Sequence, residues 1–214
     1  MIFDSDGLAT GRHLLIFARR PELGRVKTRL AADIGPAAAL AVYEELLAGT
    51  RAAADGVAAA RKTVWLAGGE SAAGAGSEGL WPGPEYAQQA QPAGDLGARM
   101  AAAFQAAFAA GATAAVVIGT DCPALRAGHL RVAFAQLSRH DVVLGPAADG
   151  GYYLLGMKRL IPDFFLDKPW STAAVRAATL ADTQRLGLRV AQLPMLRDVD
   201  TAADLRAWRG VGNE

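Results

Sequence analysis

Short apolar runs alternate along the chain with longer segments whose apolar residues recur every three or four positions. Apolar runs of four to eight residues are typical of strands that are buried on both faces of a sheet. The pattern predicts seven strands, over His13–Ala18, Thr63–Ala67, Tyr86–Ala90, Ala115–Gly119, Asp141–Gly145, Tyr152–Met157 and Arg189–Leu193.

The segments with helical spacing predict five helices, over Pro36–Ala54, Asp95–Ala110, Leu130–Leu137, Ser171–Leu186 and Thr201–Trp208. Proline is suited to the first turn of the first of these helices, and Gly111 and Gly187 are suited to helix ends. Ser171 or Thr172 is the expected N-cap of the fourth. Strands that alternate with helices predict an α/β fold, a three-layer α/β/α sandwich around a mainly parallel mixed sheet.

Composition limits the classes of function. The chain has 214 residues, of which 52% are hydrophobic and 20% are charged, as expected of a globular protein with a sizeable core. We interpret residues 1–12 as a flexible lead-in and residues 13–214 as one domain. The net charge of +1 gives no reason to expect nucleic-acid binding. One cysteine and no apolar run near the roughly 20 residues of a membrane span predict a cytoplasmic protein.

A basic segment follows the first predicted strand. Five arginine and lysine residues lie between Arg19 and Arg29, around Gly24 and Lys27. Backbone amides at a glycine turn, together with basic side chains, can bind a polyphosphate. A solvated basic loop is the alternative. Ligands in open α/β sheets bind beyond the carboxyl ends of the strands, which favours a phosphate site formed by Arg19, Gly24, Lys27 and Arg29. The segment lacks the Gly-Lys-Ser/Thr ending of a P-loop.

The apolar strand before Gly119 ends in Thr120, Asp121, Cys122 and Pro123. A carboxylate at the carboxyl end of a buried strand is placed to bind a divalent metal that faces a phosphorylated substrate. Asp121 is therefore a candidate catalytic residue and metal ligand. The alternative is that Asp121 caps a helix or turn.

A second carboxylate, Asp149, precedes two glycines and an aromatic strand that begins with Tyr152. Adjacent glycines allow close approach to a ligand, or they form a hairpin turn. Asp149 is a candidate to orient or deprotonate an acceptor hydroxyl. Gly150, Gly151, Tyr152 and Trp170 are the candidate acceptor side, although Trp170 is also suited to the core.

Near the C-terminus, Asp198 and Asp200 are expected to face the same side of an extended segment. Thr201 and Asp204 have capping-box spacing. Mg²⁺ or Mn²⁺ is held by one or two protein carboxylates plus substrate phosphates. Asp121 and Asp200 would supply those carboxylates if the fold brings them together.

Two glycine-containing segments carry weaker information. Asp95 is expected to cap the helix that follows Gly94, and Arg99, one turn into that helix, could reach a ligand at the sheet edge. Gly74 to Gly79 matches G-x-G-x-x-G, but Pro82 and Pro84 prevent the helix that a dinucleotide-binding motif requires. We interpret Gly68 to Pro84 as a loop.

Taken together, the motifs resemble those of a bacterial glycosyltransferase family linked to arsenosugar biosynthesis, within the nucleotide-diphospho-sugar transferases of the GT-A fold. The resemblance extends from His13 to about Trp208. It rests on Phe17-Ala18-Arg19, Gly24-Arg25-Val26-Lys27-Thr28-Arg29-Leu30, Gly94-Asp95-Leu96-Gly97, Gly119-Thr120-Asp121-Cys122-Pro123, Asp149-Gly150-Gly151-Tyr152-Tyr153 and Asp198-Val199-Asp200-Thr201.

Lys27-Thr28-Arg29-Leu30 is also similar to a segment of phospholactate guanylyltransferase. The Asp198–Leu205 segment is similar to the ending of sugar-acid cytidylyltransferases, whose acid before the threonine, here Asp200, binds metal. The chain departs from two related groups. Arg19-Arg20-Pro21 stands where sugar-nucleotide pyrophosphorylases carry a Gly-Gly loop, and Asp121 is not part of the Asp-x-Asp motif that is usual in glycosyltransferases of this fold.

The resemblance implies a Mg²⁺- or Mn²⁺-dependent transferase that acts on a nucleotide or nucleotide sugar and a small-molecule acceptor. Three hypotheses stay open: glycosyl transfer, which leads, nucleotidyl transfer with release of pyrophosphate, and nucleotide binding without catalysis. The acceptor, the nucleotide base and the oligomeric state cannot be read from the sequence.

Overall fold

A computed structural model of the chain describes residues 11–67, 80–81 and 83–210. The predicted lead-in up to residue 10 and most of the predicted loop from 68 to 84 lie outside the described residues. No helix in the described ranges is long and apolar enough to cross a membrane.

Seven strands form one sheet in the order β3-β2-β1-β4-β6-β5-β7. Their bounds are β1 (Arg12–Arg19), β2 (Arg61–Ala67), β3 (Tyr86–Ala90), β4 (Ala114–Ile118), β5 (Val142–Pro146), β6 (Tyr152–Met157) and β7 (Val190–Gln192). Strand β6 is antiparallel to its neighbours β4 and β5, and all other pairs are parallel. The mixed, mainly parallel sheet predicted from the sequence is confirmed.

The described residues form six α-helices: α1 (Thr28–Ile34), α2 (Pro36–Asp55), α3 (Leu96–Ala109), α4 (Ala127–Gln136), α5 (Val175–Arg185) and α6 (Ala202–Gly210). Successive residues of a strand point to opposite faces of the sheet. On β1, Leu14 and Ile16 therefore pack in the core that includes α2 and α4, whereas Leu15 packs in the core that includes α3. A third cluster joins α1 and α6 to the outer side of α2. These layers form the expected sandwich.

Two helical regions differ from the prediction. The basic segment is not a loop throughout, because helix α1 begins at Thr28 and Leu30 is fully buried. Helix α5 begins at Val175 rather than Ser171, and its N-cap is Ala174 without a capping side chain. Thr172 instead donates a hydrogen bond to the carbonyl of Pro169 and accepts one from the Ala174 amide, so its hydroxyl stabilises the preceding turn.

The predicted caps of two other helices are confirmed. The Asp95 carboxylate accepts a hydrogen bond from the Ala98 amide at 2.8 Å and so caps α3. At the start of α6, the Asp204 carboxylate accepts from the Thr201 amide at 3.0 Å, and the Thr201 hydroxyl accepts from the Asp204 amide at 3.3 Å. The capping box thus accounts for Asp204 without a role in chemistry.

Candidate functional site

A cleft of about 870 Å³ lies at the carboxyl ends of the parallel strands. The chain builds β1, β2 and β3 in one direction and then crosses back to place β4 on the other side of β1. Such a reversal leaves a crevice between the loops that leave the two central strands. Because β6 is antiparallel, its first residue, Tyr152, lies at this same edge. The topology therefore gathers residues from many separate parts of the chain, from Phe17 to Asp200.

Five basic residues line the cleft, and we call this set the basic wall: Arg19, Arg25, Lys27, Arg29 and Arg99. Four of them come from β1, the segment after it and the first turn of α1, and the fifth from α3. Gly24, which was predicted to contribute to a phosphate site, adopts a φ of +75° but does not line the cleft. The basic residues come together around an open space, which is the arrangement expected of a site for an anion with several charges.

Lys27 differs from the other basic residues because its side chain is only 5% exposed. Its ammonium donates hydrogen bonds to the carboxylates of Asp121 and, at 2.9 Å, of Asp200. Burial by itself would lower the pKa of Lys27, but the charges of Asp121 and Asp200 and their hydrogen bonds outweigh burial, and the pKa is raised. Lys27 is thus a cation held between two carboxylates.

The backbone explains why two distant carboxylates converge on one lysine. The carbonyl of Asp121 accepts a hydrogen bond from the Val199 amide at 2.9 Å, which ties the end of β4 to the segment before α6. Asp121 does not cap a helix, since α4 begins at Ala127. Among the described residues, no three His, Cys, Asp or Glu side chains form a ready metal site. The pair of Asp121 and Asp200 is nevertheless close enough to share one cation.

Asp198 lines the same cleft as Asp200, as the alternating pattern predicted. Its carboxylate accepts a hydrogen bond from the thiol of Cys122. Burial raises the pKa of Asp198 to about 6, the Cys122 hydrogen bond opposes the rise, and the charges of Asp149, Asp121 and Asp200 add to it. Burial also raises the pKa of the Cys122 thiol, with Asp198 reinforcing the effect. Cys122 is therefore a protonated hydrogen-bond donor rather than a nucleophile.

The described lining residues between 150 and 175, from the turn before β6 to the start of α5, carry no charge, and we call them the neutral wall. The Asp149 carboxylate accepts from the Gly151 amide at 2.8 Å, so the predicted turn is present and the carboxylate still lines the cleft. Gly150 does not line the cleft, but its φ of +93° and its contact with Ala173 require glycine. A Cβ at residue 150 would lie 2.4 Å from the Ala173 carbonyl oxygen. Gly150 thus positions the turn against the segment before α5.

Trp170 lines the cleft beside Tyr152 and packs against the start of α3. A Cβ on Gly97 would lie 2.6 Å from the indole nitrogen of Trp170, so the ring fits only because residue 97 is glycine. That nitrogen is buried and has no hydrogen-bond partner among the described residues. From Asp149 to Val175, no lysine, arginine or histidine is among the described lining residues.

Tyr43 was not among the candidate site residues, and it lies within the predicted helix Pro36–Ala54. The structure places its hydroxyl in the cleft, where it accepts from the Arg19 amide at 2.8 Å and donates to the Arg19 carbonyl at 3.1 Å. The same oxygen lies 3.4 Å from the Thr120 hydroxyl. Tyr43 thereby links the end of β1 to the loop after β4. Because Tyr43 is spaced with leucines along a predicted helix, the sequence pattern indicates only a core position for it.

The family profile described as "Uncharacterized protein conserved in bacteria (DUF2064)" matches residues 50–172, more than half of the chain. The chain belongs to this family. A crystal structure from Desulfovibrio desulfuricans G20, provisionally described as a nucleotide-diphospho-sugar transferase, is 33% identical with a TM-score of 0.84. The match covers 95% of this chain and 88% of that chain. None of the curated proteins matches the chain significantly.

Two more distant structures share the fold. Rv0371c of Mycobacterium tuberculosis H37Rv, solved in complex with manganese, is 18% identical with a TM-score of 0.55, over 93% of this chain and 97% of that chain. The 4-diphosphocytidyl-2C-methyl-D-erythritol synthase of Anaerococcus prevotii DSM 20548 is 8% identical with a TM-score of 0.59, over 96% and 100%. The predicted GT-A-type fold is confirmed. These relatives show neither a link to arsenosugars nor a likeness to phospholactate guanylyltransferase.

Proposed function

We propose that this DUF2064 protein is a divalent-metal-dependent glycosyltransferase, which transfers a sugar from a nucleotide diphosphate to a hydroxyl of a small neutral acceptor. The observation that carries the proposal is the distribution of charge in the cleft. Five basic residues and four carboxylates line the cleft, and the described lining from residue 150 to residue 175 has no charged residue.

The relatives support a transferase that uses a nucleotide. The 33% identical protein has a provisional description as a nucleotide-diphospho-sugar transferase, and it matches nearly the whole chain. The distant fold neighbours include a cytidylyltransferase, a CTP transferase and a manganese complex. Fold does not fix function, however, so the choice of reaction rests on the residues of the cleft.

The basic wall would bind the donor. Arg19, Lys27, Arg29 and Arg99 would contact the diphosphate, and the turn at Gly24 would hold their segment in place. The diphosphate gains negative charge as the glycosidic bond breaks. Cations already in position stabilise that charge without reorganisation of solvent.

Asp121 and Asp200 would hold the metal. They fit a Mg²⁺ or Mn²⁺ ion because one oxygen of each already contacts a single cationic atom, the ammonium nitrogen of Lys27. Their side chains are 46% and 41% exposed, which leaves room for the waters and phosphate oxygens that complete octahedral coordination. When bound, the metal would supply charge neutralisation to the leaving diphosphate.

The neutral wall would bind the acceptor. Trp170 and Tyr152 present ring surface, Gly151 allows close approach, and Gly150 keeps the turn in place. In the transfer step, the acceptor oxygen forms a bond to the anomeric carbon and the carbon–oxygen bond to the diphosphate breaks. Asp149 would accept the hydroxyl proton.

One observation favours nucleotidyl transfer as a second candidate. Five cationic side chains are more than a diphosphate with a bound metal needs, and they would suit a triphosphate that loses pyrophosphate. In that reaction an acceptor phosphate attacks the α-phosphorus. Arg176, whose guanidinium donates to the Ala147 carbonyl at 3.4 Å, is close to the Asp149 turn but does not line the cleft. No basic residue is among the described lining from Asp149 to Val175 to bind such an acceptor, and glycosyl transfer therefore remains the stronger proposal.

Product analysis separates the two reactions. The protein is incubated with Mn²⁺, a panel of sugar nucleotides and neutral polyhydroxylated acceptors, and separately with each nucleoside triphosphate and a sugar phosphate. Release of a nucleoside diphosphate, detected by ³¹P NMR, supports glycosyl transfer. Release of pyrophosphate supports nucleotidyl transfer instead. Nucleotide binding with neither product would favour a protein that binds nucleotides without catalysis.

A further inference from the structure

We propose that Lys27 is a displaceable internal cation: without ligand its ammonium occupies the metal position between Asp121 and Asp200, and it excludes the metal until nucleotide phosphates draw it away. The inference rests on the proposed metal-dependent function. It adds that metal and nucleotide bind cooperatively, and that one side chain couples them.

The contacts of Lys27 carry the first step. Its ammonium bonds to one carboxylate oxygen of Asp121 and one of Asp200, and no other contact of the ammonium is described. A divalent metal that used both aspartates would lie where the ammonium lies. The metal ion and the Lys27 ammonium would repel each other if both were next to the two carboxylates, and the repulsion would be strong because Lys27 is buried. Metal and ammonium therefore compete for one position.

The backbone at Lys27 is held in an uncommon conformation. Lys27 has a φ of 47° and a ψ of 45°, the left-handed conformation that residues other than glycine rarely adopt. The neighbouring Val26 and, three positions on, Leu30 are 2% and 0% exposed and fix the segment in the core. A change in the position of the ammonium therefore involves the flexible side chain, whose four methylene groups allow it to swing.

The surroundings of the lysine supply the second state. Arg19, Arg25 and Arg29 line the same cleft, so nucleotide phosphates bound there would lie beside Lys27. Phosphate oxygens can accept the hydrogen bonds that the carboxylates give up. The freed carboxylates and the phosphates then form the oxygen-rich site that a divalent metal requires. By linkage, a nucleotide that strengthens metal binding is itself bound more tightly in the presence of metal.

The test is Mn²⁺ binding to the nucleotide-free protein, measured by the electron paramagnetic resonance signal of free Mn²⁺. Lys27→Met removes the charge and keeps much of the length of the side chain. We expect Lys27→Met to bind Mn²⁺ about tenfold or more tightly than the wild type, because a competing cation is gone. Lys27→Gln serves the same purpose if Lys27→Met does not fold, as checked by circular dichroism.

Two controls isolate the position of the charge. Lys158→Met makes the same substitution at a lysine that does not line the cleft and that pairs with Asp141 at 3.1 Å, so Mn²⁺ affinity is expected to stay within about twofold. Lys27→Met combined with Asp200→Asn should lose the gained affinity. A result in which the wild type and Lys27→Met bind Mn²⁺ equally, through Asp121 and Asp200, overturns the displacement proposal and leaves the metal-dependent function standing. Absence of Mn²⁺ binding in every variant, with or without nucleotide, overturns both.

Discussion

Replacement of Gly150 by alanine tests how the acceptor wall is built. Gly150 has a φ of +93°, and an added Cβ would meet the backbone of Ala173 at 2.4 Å from its carbonyl oxygen and 2.6 Å from its Cα. An L residue in a left-handed conformation costs roughly 1–2 kcal/mol. A clash that moves backbone costs a further 1–3 kcal/mol, by analogy with overpacked cores, so the total is about 2–5 kcal/mol.

Gly111→Ala is the matched control. Gly111 has a φ of +87°, and an added Cβ would have no neighbour within 4 Å. The Gly111→Ala variant therefore has only the cost of placing an L residue in a left-handed conformation, about 1–2 kcal/mol. The difference between the two variants isolates the contact with Ala173. In urea unfolding, we expect Gly150→Ala to lose about 2 kcal/mol more than Gly111→Ala, or roughly 4–8 °C of melting temperature. Equal losses would refute the argument that close packing at residue 150 positions this wall.

Two further predictions concern the centre of the cleft. Asp198 has a pKa raised to about 6 by burial, so the folded state binds the Asp198 proton more tightly than the unfolded state does. The resulting stabilisation of the folded state is fully present below about pH 4 and is lost as the pH rises through 6. The free energy of unfolding of Asp198→Asn, minus that of the wild type, should therefore increase by about 3 kcal/mol between pH 4 and pH 7.5 in urea titrations with EDTA. If this difference does not change with pH, the pKa of Asp198 is not raised. Tyr43→Phe leaves the Arg19 amide without its partner and should cost about 1–3 kcal/mol. Tyr153→Phe, which removes a single bond to the Pro194 carbonyl, should cost less, and the reverse order would contradict the role of Tyr43.

The strands could be predicted from sequence because continuous apolar runs leave few alternatives in an α/β chain. Helix α1 could not, since Arg29 and Asp33 interrupt a short apolar pattern and Lys27, a residue without capping chemistry, precedes it. The start of α5 was placed too early because Ser171 and Thr172 resemble N-caps. Ser171 instead has a φ of 63°, and the hydroxyl of Thr172 serves a turn.

Some residues of the candidate site carry a local signal in the sequence, but their contacts do not. Asp121 and Asp149 each follow a predicted strand directly or by a short turn, so the local sequence predicts that both carboxylates lie near the ends of strands. The pairing of Lys27 with Asp121 and Asp200 spans 94 and 173 residues of chain, and no local pattern encodes such a distance. It follows from the strand order and from the backbone bond between Val199 and Asp121. The role of Asp198 depends likewise on burial, which only the packed cleft reveals.

The most direct test of the central claim is thermal unfolding with sugar nucleotides, in the presence and absence of Mn²⁺, for the wild type and Asp121→Ala. A ligand at a hundredfold excess over its Kd stabilises the folded protein by about 2.7 kcal/mol. We expect one sugar nucleotide and its nucleoside diphosphate to stabilise the wild type only with Mn²⁺, and Asp121→Ala to fold but lose that stabilisation. Equal stabilisation of the folded variant, or stabilisation that is indifferent to the metal, would contradict the assignment of the cleft as a metal-dependent nucleotide site.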